Sequence, residues 1–378
     1  MLSRRDRLMA TLRGEAVDRP AVSFYELNGL DENPANDNPF NIFSHSTWQP
    51  LIDLTREKTD RIVMRGVPFI NAPADPMAEI SKTETEIRDG NRYTTFTIDT
   101  RFHKFSSRTM QEPDVNTVWT LEHLLKDEDD LKAYLNLPMP QFGGIPNIET
   151  VLSTEEKLGD TGIVMIDTPD PLCIAASMFE MGEYTVLAMT EPELFRKLLD
   201  RFAAILYPRI EAVAKALPGR LWRVFGPEYA SPPYLPPRLF HEYVVGYDKP
   251  IVESIQKYGG YARLHSHGKL HDILDHIAAT GASGLDPIEP PPQGDVTLKY
   301  VKERVGEQMV LFGNLEISDI ENLPTDQFAE KVKTSISEGT SGKGRGFILM
   351  PSACPYGRIL SPLTMRNYEK MIEIIENL

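Results

Sequence analysis

Eight short apolar runs, separated by stretches with helical periodicity, constrain this chain more than any other feature. They are Ala21 to Tyr25, Arg61 to Arg65, Gly162 to Asp167, Leu221 to Phe225, Tyr261 to Leu264, Gly284 to Pro287, Val310 to Phe312 and Gly346 to Leu349. Between the later runs Leu270, Ile273, Leu274, Ile277 and Ala278 fall on one face at i, i+3, i+4, i+7 and i+8, the signature of an amphipathic helix. Alternating strands and helices imply a parallel sheet. With eight strands, and no Gly-rich dinucleotide or phosphate loop after any of them, closure into a (β/α)8 TIM barrel is favoured over a doubly wound sheet. The 378 residues suit one such barrel, so a single domain over 1–378 is expected, with an insertion at about 70–145.

The ends and the insertion carry their own local signals. Ser3 with Asp6 three residues later is an acidic capping box; Leu8, Met9 and Leu12 then give a short helix that stops at Gly14. Thr83 to Met110 alternates polar and apolar residues around Asp89-Gly90, a type I′ turn pair, and predicts an antiparallel hairpin layered on the barrel. Thr120 to Leu135 reads as an acidic helix.

Composition narrows the class of partner. A formal charge of −15, from 55 acidic against 40 basic residues, argues against nucleic-acid binding, which needs a basic surface to neutralise phosphates. Only Cys173 and Cys354 are present, which excludes a disulfide framework and suits a reducing compartment. The opening Met1 to Arg7 lacks the apolar run of a signal peptide, and no segment offers the ~20 apolar residues of a membrane span. A cytoplasmic protein acting on a small molecule, without nucleic acid or membrane, is expected.

Histidine placement points to the chemistry. Four of the eight histidines, His265, His267, His271 and His276, fall within twelve residues. In Tyr261-Ala262-Arg263-Leu264-His265-Ser266-His267-Gly268, a strand delivers two imidazoles at its C-terminal end; residues i and i+2 share a side, so His265 and His267 can converge on one ion. Barrel enzymes do their chemistry at that end of the strands. Glu289 lies beyond the end of the next strand, and Cys354 follows the last one, so a carboxylate and a thiolate are available to complete a tetrahedral site. The plainer reading of Glu289 is a carboxylate that orients a histidine, and of Cys354 a small buried hydrophobe. His271 and His276 belong to the following helix and read as solvated. Glu228 and Tyr229, after the strand Leu221 to Phe225, and Asp167, at an earlier strand end beside Asp170, are candidate substrate or acid/base groups; loop and helix capping is the plain alternative.

His265-Ser266-His267 followed by Glu289 resembles the zinc-binding segment of cobalamin-independent methionine synthases. Across nearly the whole chain the stronger resemblance is to the uroporphyrinogen decarboxylase-like superfamily. Arg5-Asp6-Arg7-Leu8-Met9-Ala10-Thr11-Leu12-Arg13-Gly14 and Asp18-Arg19-Pro20 are similar to its N-terminal helix and turn. Gly226-Pro227-Glu228-Tyr229, Leu285-Asp286-Pro287-Ile288-Glu289-Pro290-Pro291, Gly313-Asn314 and Ile348-Leu349-Met350-Pro351 resemble its later strand ends. True uroporphyrinogen decarboxylases carry an Arg-rich N-terminal segment with a Gln-Ala-Gly-Arg run that grips substrate carboxylates. Here Ala21-Val22-Ser23-Phe24-Tyr25-Glu26-Leu27-Asn28 stands instead, which favours the corrinoid-dependent zinc methyltransferase branch.

That branch binds zinc through a His-x-Cys pair and a late Cys. In this chain His267 replaces the first Cys and Cys354 is the late one. The resemblance implies zinc held by His265, His267, Glu289 and Cys354, a corrinoid carried by a partner protein, and a homodimer, a common state in the superfamily. It also implies Lewis-acid activation of a thiol. Imidazole in place of thiolate makes the zinc complex less negative, which suits an oxygen substrate, so transfer of methyl from a methoxylated compound to a corrinoid fits equally. The alternatives are a metal-free decarboxylase and a non-catalytic metal- or ligand-binding barrel.

Overall fold

The computed structural model describes residues 2–378. Each of the eight apolar runs is a strand of one parallel sheet: β1 (Ala21–Val22), β2 (Arg61–Arg65), β3 (Gly162–Pro169), β4 (Leu221–Phe225), β5 (Tyr261–His265), β6 (Gly284–Asp286), β7 (Val310–Leu315) and β8 (Phe347–Pro351). The order β1-β8-β7-β6-β5-β4-β3-β2 is that of a (β/α)8 barrel. The strands read as nearly unbroken apolar runs because both faces are covered. In β3, Ile163 and Met165 point into the barrel with Ile62, Leu221, Val310, Phe312 and Ile348, whereas Val164 and Ile166 pack outward against the helices with Val63, Val224, Leu264 and Leu311. Gly284 keeps the interior open for Phe312, whose ring lies 2.9 Å from where a Cβ would stand.

The seam between β1 and β2 is closed by one residue. The backbone N–H of Asp60 donates to the Val22 carbonyl at 2.7 Å, and its Oδ2 accepts the Val22 N–H at 2.9 Å. Asp60 is fully buried, and Arg7 (2.5 Å) and Arg19 (3.0 Å) match its charge. Arg7 comes from the N-terminal helix Arg4–Arg13, whose Leu8 and Leu12 plug the barrel floor and which also pairs Arg7 with Asp18 at 2.7 Å. The predicted start and stop hold: Ser3 Oγ accepts from the Asp6 N–H, and Gly14 ends the helix at φ 74°. The box is not reciprocal, because the Asp6 carboxylate takes the Ser3 hydroxyl at 2.8 Å rather than its backbone N–H.

Between β2 and β3 lies an antiparallel sheet of four strands, Ser81–Arg88, Asn91–Asp99, Lys104–Gln111 and Val118–Glu122, paired in sequence order. Its first turn is the Asp89-Gly90 pair, both residues at positive φ (53° and 82°), as a type I′ turn requires. Thr120 to Leu135 is not one helix. Val118, Trp119 and Thr120 favour extended backbone and extend the sheet, and the helix begins only at Glu128, where Asp127 accepts the Asp130 N–H and caps it. The amphipathic stretch from Leu270 is helical only over Leu274–Ala279, and the Leu270 and His271 N–H groups ahead of it donate to the Asp295 carboxylate. Among the described residues no single helix is long and apolar enough to cross a membrane.

Arg358, in the loop after β8, ties the roof of the barrel together. Its guanidinium donates to the carbonyls of Pro39, after β1, and Pro113, in the insertion, and to Ser44 Oγ at 3.1 Å. Its own carbonyl accepts the Trp48 indole N–H at 3.0 Å.

Candidate functional site

Strand register assembles the site. Phe225 of β4 lies beside His265 of β5, and His265 beside Asp286 of β6, so three strand ends meet at one level of the C-terminal rim. In β5 the alternation that sends Ala262 and Leu264 outward sends Tyr261, Arg263 and His265 inward. Two residues on, His267 returns to the same side, and its ring stands edge-on to that of His265 with centroids 4.7 Å apart.

Each imidazole is held by a carboxylate. His265 Nδ1 donates to Asp286 Oδ2 at 2.7 Å, and the other Asp286 oxygen lies 2.8 Å from Arg263 Nε. Arg263 and Asp286 are almost completely buried. Burial alone would raise the Asp286 carboxyl, yet Arg263 and His265 together hold it below the usual carboxylate range. His267 Nδ1 donates to Glu289 Oε1 at 2.7 Å, and the Gly268 N–H donates to Oε2 at 2.8 Å. Burial opposes the charged form of His267, but Glu289 overcomes it and raises the imidazole above its ordinary value. With Nδ1 fixed as the donor, Nε2 of both rings is left as the acceptor or coordinating nitrogen.

A second chain of contacts reaches the same point from across the barrel. Asp167 of β3 takes Arg223 of β4 in a two-pronged pair (2.6 and 3.1 Å). Arg223 Nη1 donates to the Tyr25 hydroxyl, and that hydroxyl lies 3.4 Å from His265 Nε2. Tyr25 stacks on His265 with the planes 13° apart. Burial and the nearby Asp286 charge keep the phenol protonated. Its O–H is therefore a proton donor facing the imidazoles.

The remaining sequence candidates divide. Glu228 Oε2 accepts the Gly226 N–H at 3.1 Å, so it caps the turn after β4 while its charge acts on His267. Tyr229 turns to the core, its carbonyl taking the Tyr184 hydroxyl and its phenol pushed up to about 12 by burial. Asp170 caps the helix Pro171–Ser177. His271 pairs with Asp272 on the exposed surface, and His276 meets His241. Cys354 packs partly buried against the core, its thiol raised by burial and by Glu26. Among the described residues, no three His, Cys, Asp or Glu side chains stand together in a geometry that holds a metal ion, so His265, His267, Glu289 and Cys354 are not gathered into a four-ligand cage. Both Glu289 oxygens already accept protein hydrogen bonds.

Two further observations bear on whether a metal suits the site. A carboxylate on the Nδ1 of a histidine is the usual support for a metal bound at Nε2. Glu316, the first residue past β7, is buried, and only its Oε2 is engaged, by the Ser352 hydroxyl at 3.1 Å; Oε1 has no partner. Burial, then the neighbouring Glu289 charge, pushes its carboxyl up to about 7. The donor types at the rim, imidazole and carboxylate, suit a divalent cation, but among the described residues they are not gathered around one point. Sequence reasoning missed Glu316, Tyr25, Arg223 and Arg263 as site residues. Their signal was a polar or charged side chain within an apolar barrel strand, for Arg223 and Arg263, or just beyond one, for Tyr25 and Glu316.

The fold and the rim site define a (β/α)8 barrel with its polar cluster where such barrels do their chemistry. The profile of the uroporphyrinogen decarboxylase (URO-D) family matches residues 119–377, and the chain belongs to that family. Among solved structures, a methyltransferase from Methanosarcina mazei matches over 100% of both chains with a TM-score of 0.59 at 15% identity. A D-psicose 3-epimerase from Clostridium cellulolyticum H10 matches 58% of this chain and 79% of its own (TM-score 0.34, 8% identity). No curated protein matches the chain.

Proposed function

We propose that this URO-D family member is a zinc-dependent methyltransferase that moves a methyl group between a small methoxylated compound and a corrinoid carried by a partner protein. The observation that carries the reading is the pair of strand-end imidazoles, each with Nδ1 fixed on a carboxylate and Nε2 left to coordinate. The full-length match in fold to a methyltransferase supports it. His265 and His267 would hold the zinc, oriented by Asp286 and Glu289, and bound zinc supplies Lewis acidity toward a substrate oxygen. Imidazole donors, less soft and less negative than thiolates, would suit an oxygen ligand better than a thiolate-rich set does.

In the direction of demethylation, a reduced corrinoid on the partner would supply the electron pair that bonds to the methyl carbon. The O–CH3 bond breaks, and the substrate oxygen keeps its electron pair and takes a proton. The protonated Tyr25 hydroxyl, held by Arg223 and Asp167, stands beside His265 to supply that proton or to orient the oxygen. The arginines nearest the histidines, Arg223 and Arg263, are each matched by a carboxylate, which leaves neither free to grip a polycarboxylate as a decarboxylase would.

Protein purified without a metal-binding tag is expected to carry about one zinc per chain, as the donor set implies. It should also convert a reduced cobalamin to its methylated form with methoxylated aromatics, followed by the visible spectrum. His265→Ala should lose the zinc and slow the transfer by at least about 100-fold, the scale of losing several kcal/mol of charge stabilisation. Wild-type protein that takes up no zinc when zinc is added would sink this reading.

A further inference from the structure

Among the described residues one lysine is buried: Lys302, 5% exposed, in the last turn of the helix Leu298–Val305. Its ammonium makes no ion pair and no hydrogen bond with them, and burial, opposed by no carboxylate, holds it below the usual lysine value. The side chain fills space that two glycines leave. A Cβ on Gly306 would stand 2.6 Å from its Cδ, and one on Gly344 would stand 2.5 Å from its Nζ. Lys302 and Gly344 both line a cavity of about 440 Å³, which Pro20 ahead of β1 and Gly346 ahead of β8 place at the opposite end of the strands from the imidazoles. An ammonium out of water without a counter-charge is costly, and a helix C-terminus offers it only about half a negative charge.

The same cavity has further donors in its walls. In the loop ahead of β8 the N–H groups of Thr340, Ser341 and Arg345 are taken by the carbonyls of Ile336, Glu338 and Gly306. Those of Gly342, Lys343 and Gly344 donate to no protein group among the described residues. The Arg345 guanidinium meets only carbonyls, of Leu12 at 2.9 Å and Gln308 at 3.4 Å. The two carboxylate side chains of the lining are drawn to other cations: Asp18 to Arg7 at 2.7 Å, and Glu15 to Arg13 at 3.6 Å. We propose that this cavity in the barrel floor binds a phosphate-type dianion, with Lys302 and Arg345 as its cations and the N–H groups of Gly342 to Gly344 as further donors. The volume leaves room beyond the phosphate group for a small organic body. A bound anion would match the buried charge and, through Arg345 and its hold on Leu12, join the N-terminal helix to the helix that carries Lys302. The site is separate from the zinc reading above and does not depend on it.

Calorimetric titration of the full chain at neutral pH and fixed ionic strength, with inorganic phosphate and with glycerol phosphate, tests this. The wild type should bind with a Kd of about 1 mM or tighter, and its Tm should rise with the anion and not with chloride. Tighter binding of glycerol phosphate assigns the rest of the cavity to an organic body; equal or weaker binding assigns the site to the free anion. Lys302→Met keeps the reach of the stem without the charge and should weaken binding about 10–100-fold, the loss of one charge-assisted hydrogen bond. Lys333→Ala, an exposed lysine outside the cavity, should bind as wild type does. On the wild type, which requires no substitution to fold, phosphate should slow acetylation of Lys302 by acetic anhydride but not of Lys333, read by peptide mass spectrometry. No binding of either anion to the wild type, wild-type affinity in Lys302→Met, or acetylation of Lys302 that phosphate leaves unchanged overturns the assignment.

Discussion

Asp286→Ala should destabilise the protein by about 3–5 kcal/mol, the loss that follows when one member of a buried ion pair is removed. Arg263 would be left charged at 1% exposure with only Met350 Sδ at 3.9 Å and two aromatic faces for company. The same substitution frees the His265 ring. In the milder Asp286→Asn, which keeps the volume, the zinc affinity proposed above should fall about 10–100-fold, because the amide no longer fixes the Nδ1 proton or raises the basicity of Nε2. Urea unfolding and chelator competition read the two effects separately. The Asp286 carboxyl lies below its ordinary value in the folded chain. Its contribution to stability is therefore in place above the unfolded value of about 3.9 and is lost as pH falls through the folded one. Unchanged urea midpoints in both variants would show that Arg263 and Asp286 are not an energetic unit.

Asp60→Ala is expected to cost a similar ~3–5 kcal/mol, for a different reason. One carboxylate satisfies the Val22 N–H, neutralises the buried Arg7 and pairs with Arg19, all at the one seam among the described residues where two neighbouring barrel strands do not pair directly. Asp60→Asn keeps an acceptor for Val22 and loses only the charge, so it should fall between the alanine variant and wild type. Asp53→Ala, which removes the exposed Arg56 pair, is the control and should cost no more than ~1 kcal/mol. Equal urea midpoints for Asp60→Ala and Asp53→Ala would refute the role given to the seam. Asp18 adds a pH signature to the same corner. Held below its ordinary range first by its hydrogen bonds with Arg7, it stabilises the fold above about pH 4, and that contribution fades as pH falls through its folded value.

The barrel was legible because burial on both faces writes strands as apolar runs, and the Asp89-Gly90 pair marks its hairpin through backbone sterics alone. Thr120 to Leu135 misled because its acidic content suits a helix, while the β-forming Val118-Trp119-Thr120 competes at its start. His265 and His267 could be placed at the rim from strand spacing. Their supports could not be foreseen, because Tyr25 and Arg223 meet across 198 residues and His265 and Asp286 across 21, and only the strand register brings them together. Glu316 escaped notice for the same reason: a single Glu after an apolar run looks like an exposed strand end until its burial is known.

Arg358 shapes access to this rim. A guanidinium shared among Pro39, Ser44 and Pro113 cannot release one partner without loosening its hold on the others. The segments after β1, after β8 and in the insertion are thereby latched by one pin. These loops and the insertion are coupled through one residue that stands far in sequence from the rim imidazoles.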